Sequence, residues 1–295
     1  MPITILSPHQ DDAGLSLGMT MRALASAGHP VAVVNCFTVS EYAPCGTVSG
    51  MTEVGRLRSE EDRQFASGLG NGIEVVDLGL LDAPIRLRCP VSAVRPRAVS
   101  KRDRDDVYHV ADRLARFADG VLLAPLGLGA HIDHLVAREA AIRMAQSGKA
   151  VGFYEDLPYA AESRECCILR AVDVVSRRIG HRLRAGLVSD SEGLPGKRTA
   201  IEAYASQLSS AQVGSVIDYA QTLGGCERLW MPAGALAAFP IAMQSAEIRS
   251  SGGAPVLQRM RCAKHVTIDL ARRGLRRLTE LNSRGETFHV PESHS

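Results

Sequence analysis

Two short clusters of histidine and aspartate are the part of this sequence best suited to chemistry. The first, residues 7–12 (SPHQDD), directly follows the apolar stretch 3–6, and the second, residues 129–134 (GAHIDH), follows the apolar stretch 121–124. Imidazole nitrogens and carboxylate oxygens are common zinc ligands, and hydrolytic zinc sites usually take three of them from the protein. If the two turns meet at one edge of a sheet, they predict a zinc site with an open coordination position.

Each polar residue of the clusters has a predicted role in such a site. The predicted metal ligands are His9, Asp12 and His134. Asp11 then stays free beside the metal, where it could take a proton from zinc-bound water as the water attacks a carbonyl carbon. His131, one turn from His134, could act as an imidazolium that stabilises an oxyanion and protonates a leaving nitrogen. Asp133 is expected to fix the tautomer and orientation of a histidine.

A simpler interpretation exists for each cluster taken alone. Asp11 and Asp12 could cap the helix that follows them, and His131 and His134 could be polar residues at a helix N-terminus. Because both clusters stand directly after a predicted strand, their combination favours the metal site.

The elements that must position the clusters alternate between strands and helices. Buried strands are predicted at residues 3–6, 31–37, 73–78, 121–124 and 151–154. Helices are predicted from residue 15 to the turn at 27–30, and at 54–69, 106–117 and 135–145. This alternation predicts an α/β fold, a mostly parallel sheet with helices on both faces, and ligands at the carboxyl ends of its strands. The clusters form one site only if the strands before them are neighbours.

Composition and charge narrow the class of protein. The 295 residues are 45% hydrophobic, which suits one domain over residues 1–245 and a C-terminal extension of unknown role over residues 246–295. The net charge of +2 gives no reason to expect nucleic acid or a membrane as partner. No stretch approaches the roughly 20 apolar residues of a membrane span, and a cytoplasmic location is expected. The Pro- and Arg-rich stretch 80–104 predicts a long surface loop, either solvated or in contact with an anion.

Further residues connect both clusters to a known family. Residues 7–13 (SPHQDDA) and 130–134 (AHIDH) resemble the two signature loops of the PIG-L/LmbE-like zinc de-N-acetylases. Arg58 and Glu61, followed by Leu69-Gly70, resemble the R-x-x-E helix of that family, and residues 78–82 resemble its L-G-x-x-D stretch. Segments 154–159 and 197–207 look like later family segments, so the resemblance extends over about residues 1–210.

The resemblance implies a Rossmann-like fold and a zinc-dependent hydrolase. Such an enzyme removes an N-acyl group, most often acetyl, from an amino sugar or glycoside, and assembly of an antibiotic or another specialised glycoside is the expected setting. The residues carried over are His9, Asp12 and His134 as ligands, Asp11 as base, His131 as electrophilic partner, and Arg58 and Asp82 as contacts to the sugar. Fe²⁺ could occupy the same ligands, and no organic cofactor is expected. Arg58 and Asp82 could instead form a surface ion pair and a turn cap.

The sequence departs from the family pattern at four positions. Gln10 and Ile132 stand where proline is common, and Ala13 stands where glutamate is common. Gly129 stands where some members carry a tyrosine over the active site. Loss of that tyrosine implies a more open pocket or a replacement, for which the candidates are Tyr42, Tyr108 and Tyr159.

Two other functions stay open from the sequence. An amidase that cleaves a larger acyl group or a thiol conjugate would agree with the divergent Gly129 and the long stretch 80–104. A non-catalytic, metal-holding binding subunit would need only the ligands. The intact Asp11 argues against that subunit, because a mere binder has no need of a base beside the metal.

Overall fold

The computed structural model describes residues 1–117 and 119–245. In chain order, its strands are β1 Ile3–Ser7, β2 Val31–Asn35, β3 Ile73–Asp77, β4 Val121–Pro125, β5 Ala150–Tyr154, β6 Leu183–Val188, β7 Glu227–Pro232 and β8 Gln244–Ser245. They form one sheet in the order β3-β2-β1-β4-β5-β7-β6-β8. The expected extension 246–295 lies outside the described residues, so the boundary at residue 245 stays a prediction.

Helices connect and flank these strands. They are α1 Asp12–Ser26, α2 Met51–Leu69, α3 Ala83–Arg86, α4 Arg104–Leu114, α5 Ile132–Gln146, α6 Glu165–Ile179, α7 Gly193–Ile201, α8 Ser210–Thr222 and α9 Ala233–Ala237. Short 3₁₀ turns occur at Val91–Ala93, Lys101–Asp103 and Leu128–Ala130. Within the described part of the chain, no helix has the length and apolar character needed to span a bilayer.

The sheet has a parallel half and an antiparallel half. Strands β3, β2, β1, β4 and β5 run parallel, whereas β7 pairs antiparallel with both β5 and β6. Every residue of β1 and β4 is buried, as expected for strands covered by helices on both faces of a sheet. The predicted α/β class with a mostly parallel sheet is confirmed.

The two strands that precede the His/Asp clusters are direct neighbours. Ile3 pairs with Val121 and Ile5 pairs with Leu123 in parallel register. Because parallel strands end at the same edge of a sheet, the turns after β1 and β4 open into one space. The predicted metal site depended on this adjacency, because only neighbouring strands bring the two clusters together.

The stretch 80–104 differs from the expected long loop. It contains α3 and two 3₁₀ turns, and it packs against the second cluster through its backbone. Arg97 donates its N–H to the carbonyl of Ala130 (3.0 Å), and Ile132 donates its N–H to the carbonyl of Val94 (3.1 Å). This stretch therefore forms one border of the space above β1 and β4.

A buried ion pair supports a bend in α1. Leu17 departs from helical geometry (φ −130°, ψ 19°), and Met19 donates its N–H to Glu227 at 3.0 Å. Lys197, which is fully buried, pairs with Glu227 and donates to the carbonyl of Leu15 at 2.7 Å. The pair thus replaces backbone hydrogen bonds that the bend breaks, and it fixes the direction of the first turn of α1.

Candidate metal centre and active site

Three predicted ligands converge where β1 and β4 end. The Nδ1 atom of His9 lies 3.0 Å from Oδ2 of Asp12, and Nε2 of His134 lies 3.2 Å from the same oxygen. One ligand atom from each of the three residues lies within 4.8 Å of the other two. His9 comes from the turn after β1, and Asp12 and His134 from the first turns of α1 and α5. The geometry therefore brings the predicted set together.

One atom of this group lacks a hydrogen-bond partner. The Nε2 atom of His134 is buried, and none of the described residues forms a hydrogen bond with it, because its 3.2 Å contact to Asp12 lacks hydrogen-bond geometry. Buried polar atoms are nearly always bonded. A divalent cation would satisfy this nitrogen, and two imidazoles with one carboxylate suit zinc. The residues present therefore fit a bound metal ion.

Asp133 orients the first histidine of the predicted ligand set. Its Oδ2 lies 3.0 Å from Nε2 of His9, and its Oδ1 accepts a hydrogen bond from Arg86 at 2.8 Å. Carboxylates that bind the outer nitrogen of a ligand histidine fix its tautomer and its direction. The predicted contact of Asp133 with a histidine is present in the structure. Arg86, which holds Asp133 in turn, had no role in the sequence interpretation.

Asp156 orients the second histidine and was missed by the sequence interpretation. Its Oδ1 lies 2.7 Å from Nδ1 of His134, and its Oδ2 accepts the N–H of Leu128 at 3.0 Å. Asp156 follows β5, the strand beside β4. The rule that placed both clusters at the carboxyl edge of the sheet would also have placed Asp156 there.

Replacing Asp156 with asparagine is expected to weaken metal binding by about 10–100-fold, because the amide lacks the charge that polarises His134. Titration with Zn²⁺ in a calorimeter measures the effect. Asp173→Asn is the matched control, because Asp173 lies on the exposed side of α6. Equal metal affinity in wild type and Asp156→Asn would contradict the orienting role.

A second group of potential ligands overlaps the first. His9, His131 and Asp133 also place one ligand atom each within 4.8 Å of the others. Asp133 is already engaged in this group, however, because its oxygens accept the N–H of Ala83 at 2.9 Å and a hydrogen bond from Arg86. Nδ1 of His131 accepts the N–H of Asp133 at 3.2 Å. The first group, with its unbonded nitrogen, is the better metal site.

The charges around the first group favour a cation. Burial lowers the pKa of His134, but Asp12 and Asp156 outweigh burial and raise the pKa to about 10. Burial also lowers the pKa of His9, and its bonds to Asp12 and Asp133 raise the pKa to about 9. Burial raises the pKa of Asp12, yet the two histidines hold it well below its usual range. Positive charge is thus stabilised at this point of the structure.

His131 differs from the expected imidazolium. Burial, aided by the charges of His9 and His134, lowers the pKa of His131 to about 3. Because Nδ1 of His131 accepts a backbone N–H, that nitrogen carries no proton. The structure therefore favours a neutral His131 that presents an Nε2–H donor.

Asp11 lies beside the predicted ligands and is held by Arg58. Oδ1 of Asp11 lies 3.3 Å from a terminal nitrogen of Arg58, whose other terminal nitrogen donates to the carbonyl of Tyr42 at 3.3 Å. Burial and the neighbouring Asp12 raise the pKa of Asp11, and Arg58 opposes this rise. Asp11 keeps a side-chain exposure of 19%, against 7% for Asp12. Of these two adjacent carboxylates, Asp11 is therefore the one more accessible to a substrate.

Asp82 takes a structural position. It caps α3, where Oδ1 accepts the N–H of Ile85 at 3.2 Å and Oδ2 accepts the hydroxyl of Ser40 at 2.5 Å. Both carboxylate oxygens of Asp82 therefore accept hydrogen bonds from the protein. This agrees with the alternative interpretation of Asp82 as a turn cap. Its contact to a sugar stays a prediction.

The fold and the site together define an α/β protein with a candidate metal centre at the carboxyl edge of its sheet. The family model described as "PIG-L: GlcNAc-PI de-N-acetylase" matches residues 4–145, which include both His/Asp clusters. Residues 4–145 of the chain are thus similar to the PIG-L family.

Relatives of known activity give a more particular comparison. The 2'-N-acetylparomamine deacetylase of Streptomyces fradiae is 31% identical over 163 residues, which cover 54% of this chain and 57% of that relative. The chain thus spans less than two thirds of the curated relative that it matches.

Solved structures agree with the fold. A deacetylase of the teicoplanin biosynthesis pathway superposes with a TM-score of 0.62 at 22% identity, covering 78% of this chain and 97% of that one. The A40926 pseudoaglycone deacetylase Dbv21 superposes with a TM-score of 0.57 at 22% identity, covering 78% and 96%. At these identities the similarity concerns the fold.

Proposed function

We propose that this protein is a zinc-dependent N-deacetylase that hydrolyses the acetyl amide of an amino sugar or of a small glycoside that contains one. The observation that carries the proposal is the convergence of His9, Asp12 and His134 beside a carboxylate, Asp11, that is not part of the ligand set. The relative that deacetylates 2'-N-acetylparomamine supports an antibiotic-type glycoside as the substrate class. A cytoplasmic location completes the proposal, and Fe²⁺ is the alternative metal.

The ligands would be His9, Asp12 and His134. When bound, zinc polarises a substrate carbonyl and lowers the pKa of water toward about 7. Asp11, held by Arg58, accepts the proton of the attacking water and returns it to the leaving nitrogen, so that the amine departs neutral. His131 donates its Nε2–H to the oxyanion, a role that a neutral imidazole performs without losing its proton.

Arg58 retains a donor for the substrate. Its Nε is buried, and each of its two terminal nitrogens has one acceptor in the protein. Each terminal nitrogen carries a second N–H, and the nitrogen beside the part-exposed Asp11 could donate that N–H to a sugar hydroxyl. Arg58 therefore suits substrate binding better than Asp82, whose oxygens are already bonded.

The proposal is tested by metal analysis together with acetate release from a panel of N-acetylated amino sugars and aminoglycosides. We expect one zinc per chain and stoichiometric acetate and amine. His134→Ala should lose the metal and retain no more than about 1% of the activity, since metal polarisation contributes several kcal/mol. His109→Ala, on the exposed side of α4, is the control.

Three outcomes would reject the proposed function. Full activity of His134→Ala would remove the role of the metal centre. Release of an acid other than acetate would favour the amidase that cleaves a larger group. A stable zinc site without hydrolysis across the panel would favour the metal-holding binding subunit.

A further inference from the structure

Tyr159 stands against a proposed metal ligand. Its ring lies edge-on to the imidazole of His134, with centroids 5.2 Å apart and planes at 75°. Tyr159 follows Asp156 closely in the loop after β5, and Asp156 orients the same histidine. The aromatic ring thus borders the metal centre directly.

Gly129 provides the space for this ring. A Cβ atom added at Gly129 would lie 2.7 Å from Cγ of Tyr159, closer than real Cβ contacts come. Gly129 also has a φ of +73°, which favours glycine. Any side chain at this position would displace the ring, so the ring and the turn before His131 fit together only because residue 129 is glycine.

Arg95 holds the ring from the solvent side. Its guanidinium carbon lies 4.7 Å from the centroid of the Tyr159 ring, and it pairs with Glu162 at 3.5 Å. The side chain of Arg95 is 36% exposed, whereas that of His134 is 1% exposed. The ring of Tyr159 therefore spans from the rim of the site to its buried end, and contacts on both sides restrict its movement.

The other two candidate tyrosines lack this position. Tyr108 is 51% exposed and packs against Arg143, and Tyr42 is 43% exposed. Tyr159 is the one of the three whose ring contacts a member of the ligand set. Among the sequence candidates, Tyr159 is therefore the residue whose ring limits the space beside the metal centre.

We propose that Tyr159, seated on Gly129, is a specificity-determining residue that restricts the acyl group to a short one such as acetyl. This inference rests on the proposed function. The sugar, with its several hydroxyls, is expected on the more open side of the site, because the side chain of Asp11 is 19% exposed whereas that of His134 is 1% exposed. The acyl group then occupies the closed side, where the aromatic ring blocks a longer chain.

The first test measures chain-length selectivity with N-acetyl, N-propionyl and N-butyryl forms of one amino sugar. For wild type, we expect kcat/KM to fall by at least about 10-fold from acetyl to butyryl, since each methylene in a tight pocket costs about 10-fold or more. In Tyr159→Ala this preference should shrink by at least about 10-fold, and Tyr159→Phe should keep it. Tyr108→Ala is the matched control and should resemble wild type.

A second test separates this inference from the proposed function. Acetohydroxamate and butyrohydroxamate chelate metals, so calorimetric binding of both to the zinc-loaded protein reports the available space without turnover. Wild type should favour the acetyl compound, and Tyr159→Ala should lose that preference. Tyr159→Leu, which keeps an apolar side chain, serves if the alanine variant does not fold. Equal preferences in wild type and these variants, or no hydroxamate binding by wild type, would overturn the inference even if acetate release is observed.

Discussion

Asp11→Asn is expected to lower kcat for acetyl removal by about 10²–10⁴-fold, the usual contribution of a positioned general base. The asparagine side chain would keep an oxygen for the hydrogen bond from Arg58, whose terminal nitrogen lies 3.3 Å from Asp11. The amide cannot accept the proton of water, however. Because Asp11 is not in the ligand set, zinc content should stay near that of wild type. Single-turnover acetate release and metal analysis on the same sample measure both quantities.

Two other aspartate-to-asparagine variants show whether the loss of turnover is specific to Asp11. Asp105→Asn, at an exposed position of α4, is the control and should retain wild-type turnover. Asp12→Asn should lose zinc as well as activity, because Asp12 is a ligand in the proposed site. Wild-type kcat in Asp11→Asn would exclude Asp11 as the base, whereas joint loss of zinc and activity would instead make it a ligand.

Lys197→Met is expected to cost about 3–5 kcal/mol of folding free energy, which is typical when one member of a buried ion pair is removed. Glu227 would stay buried as an unpaired carboxylate, and the carbonyl of Leu15 would lose its donor. Urea unfolding of wild type and variant measures the change. Arg177→Met, which removes an exposed ion pair with Asp173, should cost less than about 1 kcal/mol.

A second substitution tests the cause of this loss. Glu227→Gln combined with Lys197→Met removes the unpaired charge and keeps an oxygen for the N–H of Met19. We expect the double variant to recover part of the stability lost by Lys197→Met. Failure to recover any stability would show that packing of the lysine side chain, and not the charge left on Glu227, dominates the cost.

The convergence of the two His/Asp clusters could be predicted from the sequence because strand ends obey a topological rule. Parallel strands end at one edge, so recognising β1 and β4 was enough to bring His9 and His134 together once the strands proved to be neighbours. Asp156 obeys the same rule and could have been found from the end of β5. The sequence pattern could not indicate that His131 is neutral. Burial lowers the pKa of His131, and the burial of a side chain depends on the packed fold.

The strands of the antiparallel half of the sheet, β6 and β7, were not predicted from the sequence. β7 carries Glu227 and Arg228, charges that usually argue against a buried strand. They are buried because Lys197 and Glu155 neutralise them, and these partners are far away in the chain. The sequence prediction omitted the short helix α3, although an aspartate cap followed by a proline in the first turn indicates the start of a helix.

The loop after β5 sets a limit on how this protein could evolve. It carries both Asp156, which orients His134, and Tyr159, which stands against the same ring. An insertion or deletion between these positions would move both side chains at once, so that a change at the proposed acyl pocket would also weaken the proposed metal site. New substrate ranges should therefore arise by point substitution at positions such as 159 and 129, with the length of this loop preserved.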